Sequence, residues 1–180
     1  MKRSKLKIQE LCLISLFTAI IAILAQIAIP LPFGVPVTMQ TFAIILASII
    51  LGAKKAALST IIYMLLGAVG LPVFANLKGG FQALTGPTSG FILSFPLMAY
   101  IIGLGYQYRH KWKGVSILGL LVGIFINCIS GLFFFCKITQ SSLFVGFTTC
   151  VLPFIPTTLL TAILAAMLGV NIRRRLQAFF

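Results

Sequence analysis

Six long apolar runs, separated by gaps alternately rich and poor in Lys and Arg, constrain this chain more than any other feature. The runs cover residues 11–29, 37–52, 56–75, 91–108, 115–135 and 153–172. Lys2, Arg3, Lys5 and Lys7 precede the first, and Lys54 and Lys55 part the second from the third. Arg109, Lys111 and Lys113 part the fourth from the fifth, and Arg173, Arg174 and Arg175 follow the last. Only Lys78 and Lys137 fall in the other gaps, and Glu10 is the single acidic residue. Lys and Arg accumulate in cytoplasmic loops, so the alternation predicts six crossings with both termini inside.

A span needs about 20 apolar residues to cross a hydrocarbon core about 30 Å thick. Lipid offers no partner to exposed backbone polar groups, so helices are expected, and runs this uniformly apolar do not alternate as barrel strands do. With 60% apolar and 8% charged residues, the composition excludes a soluble globular domain. The expected fold is all-α: one integral membrane domain over 1–180, a bundle of six transmembrane helices. The first run is too long for a signal-peptide h-region. The net charge of +13 follows topology, with attraction to anionic lipid as a by-product and no nucleic-acid partner implied. The uncharged stretch between Lys137 and Arg173 exceeds one crossing, and 141–152 reads as a partly re-entrant or interfacial segment on the outer side.

The residues argue against catalysis. An enzyme in the membrane needs an acid, a base, an activated nucleophile or a metal site. Here one carboxylate, Glu10, stands at the cytoplasmic margin and one histidine, His110, in a basic loop. Cys12, Cys128, Cys136 and Cys150 lack metal-ligand spacing and read as small apolar fillers. No metal or cofactor is expected. No Asp, Glu or His within the spans serves ion coupling, and no phosphate loop binds a nucleotide. Uphill transport would draw its energy from a partner.

Two outward segments carry the functional signal. Between spans one and two, Pro30, Pro32 and Pro36 stiffen a loop that ends in Thr38 and Gln40. The second segment, 67–90, holds the turn pairs Gly79-Gly80 and Gly86-Pro87 and has the length of a lid or binding loop. Lys78 lies inside it, against the topology rule, as either a solvated charge or an anchor for a carboxylate or phosphate. Asn127 and Ser130 read as hydrogen-bonding glue between helices or as ligand contacts. Ser15, Thr18, Ala19, Ala22 and Ala25 form a small-residue stripe on span one, either internal packing or a docking face for a second membrane protein.

Several runs of the sequence are similar to the BioY family, the biotin-specific substrate-binding (S) components of energy-coupling factor (ECF) vitamin transporters. The resemblance rests on Val35-Pro-Val-Thr-Met-Gln40, Leu51-Gly-Ala-Lys54, Tyr63-Met-Leu-Leu-Gly67-Ala-Val-Gly70-Leu-Pro72-Val-Phe-Ala75, Lys78-Gly-Gly80, Gly86-Pro87-Thr-Ser-Gly90-Phe and Pro153-Phe-Ile-Pro156. These keep their order across nearly the whole chain. The resemblance implies a six-helix S component in a prokaryotic plasma or inner membrane, holding the vitamin near the outer face under the first and third loops. It also implies a membrane T subunit, which the stripe on span one would face, and two cytosolic ATPases.

The chain departs from that family at one place. After Pro-Phe-x-Pro, where the family usually has Gly-Asp and then Lys three residues on, it has Thr158 and Thr161. An ionised acceptor makes hydrogen bonds roughly twice as strong as a hydroxyl does. Lys78 is then the expected anchor for the acid tail, with Thr158 and Asn76 as polar partners of the ring and Thr161 one helical step inward. Gln40 and Tyr63 are expected to add hydrogen bonds, and Phe74 and Phe91 to form apolar walls. Biotin is the expected substrate. Lipoate, which has the same acid tail and no ureido group, is the alternative, as is a facilitator working without ATPases.

Overall fold

The computed structural model of the chain describes residues 8–29, 35–109 and 114–177. The expectations placed on Lys2 to Lys7, Pro30, Pro32, His110, Lys111 and Lys113 therefore lie outside the described residues. Among the described residues, seven α-helices make up the body: α1 (Ile8–Ala25), α2 (Gln40–Leu51), α3 (Ala53–Ala68), α4 (Ser89–Gln107), α5 (Gly114–Thr139), α6 (Leu143–Cys150) and α7 (Phe154–Gln177). Two-residue strands β1 (Ala28–Ile29) and β2 (Val37–Thr38) pair antiparallel, Ala28 with Thr38 and Ile29 with Val37. Two 3-10 turns, Ala75–Leu77 and Phe81–Leu84, lie between α3 and α4.

The all-α membrane character holds, with corrections at the boundaries. Four helices among the described residues are long and apolar enough to cross a bilayer: Ile8–Ala25, Ser89–Gln107, Gly114–Thr139 and Phe154–Arg175. The second run begins as strand, so α2 has only 12 residues, and α3 stops at Ala68 after 16. A glycine accounts for the break between them. Gly52 has φ 79°, a left-handed conformation that turns the chain without a loop and caps α2 through its N–H on the Ser48 carbonyl. The 67–90 segment is not a bare loop, because its two 3-10 turns fold it back onto the bundle. The expected interfacial segment contains α6, whose N-terminus is capped by the Ser142 side chain accepting from the Val145 N–H.

Helix α2 is the centre of the bundle. Ala43 to Ile49 are all buried, and α1, α3, α4 and α7 pack around them. A helix so enclosed is shielded from lipid and need not match the bilayer's thickness. At one end Glu10 pairs with Lys55 at 2.8 Å, joining the first turns of α1 and α3. Nearby, Arg173 of α7 donates to the Ile49 carbonyl at 2.7 Å, one of the groups a helix C-terminus leaves without an intrahelical partner.

The glue reading of α5 is the one observed. Asn127 donates to the Phe91 carbonyl (3.0 Å) and the Ser94 hydroxyl (2.8 Å), and Ser130 donates to the Gly90 carbonyl at 2.8 Å. All three bonds join α5 to α4. The stripe on α1 is divided rather than uniform. Thr18 and Ala25 are buried within the chain, Thr18 bonding Ser59 of α3, whereas Ser15 and Ala19 are exposed and Ala22 is half-buried. A docking face on α1 is therefore reduced to its outward members. All four cysteines are free, and Cys150 is buried.

Candidate functional site

At the end of the bundle where α2, α4 and α7 begin, a cavity of about 800 Å³ opens. That volume lies within the range of about 300–1,000 Å³ typical of small-molecule sites. The β1–β2 pair forms one side, the two 3-10 turns cover another, and the first two turns of α7 close the third. Seven of the eight residues chosen from the sequence line it: Gln40, Phe74, Asn76, Lys78, Phe91, Thr158 and Thr161. Lys78 is the one charged side chain among the described lining residues.

Tyr63 is the exception. It is fully buried behind the wall and makes no part of the lining. Its hydroxyl accepts from the Gln40 side-chain N–H₂ at 2.5 Å and donates to the Val73 carbonyl at 3.0 Å. Thr38 in turn donates to the Gln40 side-chain oxygen at 2.8 Å. Each end of the Gln40 amide thus has a fixed partner, which settles its orientation towards the cavity. Tyr63 positions a lining residue where the sequence had suggested direct contact.

The aromatic walls rest on glycines. A Cβ at Gly67 would stand 2.1 Å from the Phe74 ring, and one at Gly131 would stand 2.1 Å from the Phe91 ring. Only a glycine lets each ring lie against the helix behind it. Phe74 also meets Tyr63 edge-on at 5.5 Å, and Phe91 stacks with Phe154 at 6.1 Å.

The loop bearing Asn76 and Lys78 is held by a residue that the sequence did not single out. Gln26, just past α1, donates to the carbonyls of Val73 and Phe74 at 3.2 Å each, and its oxygen accepts the Leu77 N–H at 2.9 Å. Asn76 and Leu77 have φ of 59° and 55°, uncommon for residues with side chains. The Phe74 N–H donates to the Lys78 carbonyl at 2.9 Å, closing a tight turn that puts Lys78 at the cavity edge. A lone Gln at the end of an apolar run was the available signal. Gln82, Thr157, Phe95 and Phe154 also line the cavity and were missed.

Along α7, the Thr161 hydroxyl donates to the Thr157 and Thr158 carbonyls, at 2.8 and 3.1 Å. Its proton is thereby engaged, so Thr161 meets a ligand as an acceptor. Among the described residues, no group of three or more His, Cys, Asp or Glu side chains is placed to hold a metal.

The fold and this cavity define a helical, multi-pass membrane protein that holds a small molecule at one end of its bundle. The family model described as "BioY family" matches residues 1–178, and the chain belongs to the BioY family. It is 36% identical to the biotin transporter BioY of Thermotoga maritima, over 92% of this chain and 96% of that protein. It is likewise 36% identical to the biotin transporter BioY2 of Lactococcus lactis, over 95% of this chain and 93% of that protein. The crystal structure of the S-component for biotin from an ECF-type ABC transporter superposes with a TM-score of 0.84 at 27% identity. The match covers 97% of this chain and 95% of that one. The family is one of transporter components, not enzymes.

Proposed function

We propose that this chain is the substrate-binding S component of an ECF-type importer for biotin. One observation carries the reading: a ligand-sized cavity gathers the polar and aromatic residues around a single ammonium group, that of Lys78. The Lys78 ammonium is suited to the acid tail, and the Thr158 and Thr161 hydroxyls accept from ring N–H groups. Asn76 and Gln40 add polar contacts, and Phe74 and Phe91 flank the apolar part of the ligand. The neutral threonines offer weaker acceptors than a carboxylate.

The alternation of basic gaps supports six crossings in one domain, with both termini cytoplasmic and the cavity facing outward. Enclosure of α2 by its neighbours supports counting that short helix as one of the six. The expected setting is a prokaryotic cell membrane, with a T subunit and two ATPases supplying the energy that this chain has no residues to harness. Ser15, Ala19 and Ala22 of α1 are the expected contact with the T subunit.

Uptake of radiolabelled biotin into biotin-starved cells lacking their own importer tests the reading. Accumulation is expected when the chain is produced with a T subunit and ATPases, and none when the ATPases are inactivated. Equal uptake by the chain alone would make it a facilitator. Absence of biotin binding alongside saturable lipoate binding would reassign the substrate.

A further inference from the structure

Towards the other end of α7, a second hollow of about 480 Å³ is walled by Leu168, Asn171, Ile172, Arg174 and Arg175. Phe154 at the mouth of the first cavity and Arg174 are 20 residues apart, about 30 Å along the helix, which is about the thickness of a hydrocarbon core. We propose that this second hollow binds the phosphate headgroup of an anionic phospholipid.

Charge accounting is the first argument. Glu10, the chain's only Asp or Glu, is engaged by Lys55, so no acidic side chain is left to neutralise Arg174 and Arg175. Both arginines are exposed, and neither has a hydrogen bond or ion pair among the described residues. Arg173 is different, because its guanidinium is committed to the Ile49 carbonyl. Arg109, which is close enough to Arg173 to repel it, adds to the unbalanced positive field. Arg174 and Arg175 are therefore open to an anion from outside the chain.

Geometry selects a lipid over a soluble anion. Residues 168, 171, 172 and 175 recur at intervals of three and four, so they share one face of α7. The lining joins exposed Leu168 and Ile172 to the two arginines at the C-terminal end of the helix. A lipid likewise joins an acyl chain to a phosphate. Arg also forms a fork of donors that matches phosphate oxygens in pairs.

Native mass spectrometry of the full chain, extracted from vesicles of equal phosphatidylglycerol and phosphatidylcholine, tests the proposal. Wild type is expected to retain phosphatidylglycerol preferentially, and Arg174→Gln/Arg175→Gln to retain at least fivefold less of it. Arg174→Lys/Arg175→Lys is expected to keep more than half, and a two-charge control, Lys54→Gln/Lys137→Gln, to match wild type. Equal retention of both lipids by wild type would overturn the proposal, as would an equal loss in the control. Displacement of the lipid by millimolar glycerol phosphate would mark a soluble-anion site and overturn it as well. The lipid preference and the displacement are read on wild type, so they decide the matter even where the double variant fails to fold. Biotin binding plays no part in any of these readings.

Discussion

The side-chain oxygen of Gln26 accepts the Leu77 N–H at 2.9 Å, across 51 residues of sequence. The same amide donates to the Val73 and Phe74 carbonyls, so one side chain fixes the turn that carries Asn76 and Lys78. Gln26→Leu removes three bonds to that turn. Each is worth about 1 kcal/mol net, and about 1.4 kcal/mol corresponds to tenfold in affinity. Biotin affinity is expected to fall by about tenfold or more, measured by isothermal titration calorimetry on the detergent-purified chain.

Tyr63→Phe is expected to destabilise the protein by about 1–3 kcal/mol, because the Gln40 N–H₂ and the Val73 carbonyl both lose their buried partner. Thermal melting of the ligand-free chain reads this loss. A Tyr63 that touched ligand directly would instead change affinity while leaving the melting temperature in place.

Lys78→Ala is expected to weaken biotin binding by about 1.5–3 kcal/mol, the worth of a hydrogen bond to a charged group. Biotinamide, which lacks the carboxylate, is expected to bind wild type and variant alike. Comparable losses for both ligands would mean that Lys78 does not anchor the acid tail.

Thr158→Asp combined with Thr161→Lys introduces an ionised acceptor and a second cation at the α7 wall. Biotin affinity is expected to rise, because charge-assisted bonds replace neutral ones. Lipoate, with no ureido N–H groups, is expected to gain only from the lysine. Competition binding with the two acids on one preparation separates these effects.

The close approach of the Phe91 ring to Gly131 cannot be read from spacing, yet the Phe91 wall depends on it. Gly131→Ala would bring a Cβ to 2.1 Å from the Phe91 ring and force the ring to move. Overpacking of this kind costs about 1–3 kcal/mol. A lower melting temperature together with weaker biotin binding is the expected pair of results.

Much of this arrangement was legible before any coordinates. The apolar runs located the bundle because lipid leaves the backbone little choice but helix. Residues from both glycine- and proline-rich segments line one cavity, where Lys78, Asn76 and Gln40 are brought together. Hydropathy placed the end of α2 within one residue, at Gly52 against Leu51, but did not show that the second run opens as strand over Val37–Thr38. Helix α6 was not resolved either, as a short, mostly apolar run of eight residues looks the same in a helix or an extended segment. The roles of Gln26 and Tyr63 depend on partners 47 to 51 and 10 to 23 residues away, a relation that local pattern does not encode.

The helices differ widely in length. Helix α5, with 26 residues, is about 39 Å long, whereas α3, with 16, is about 24 Å. Both present apolar side chains at the perimeter, among them Phe125 and Phe133 on α5 and Ile61 and Leu65 on α3. Helix α5 is thus longer than the usual hydrocarbon thickness of about 30 Å, and α3 is shorter than it. Such mismatch is relieved by tilting the protein or by stretching and thinning the surrounding leaflets. A bilayer around helices so unequal in length has to adjust to each of them separately.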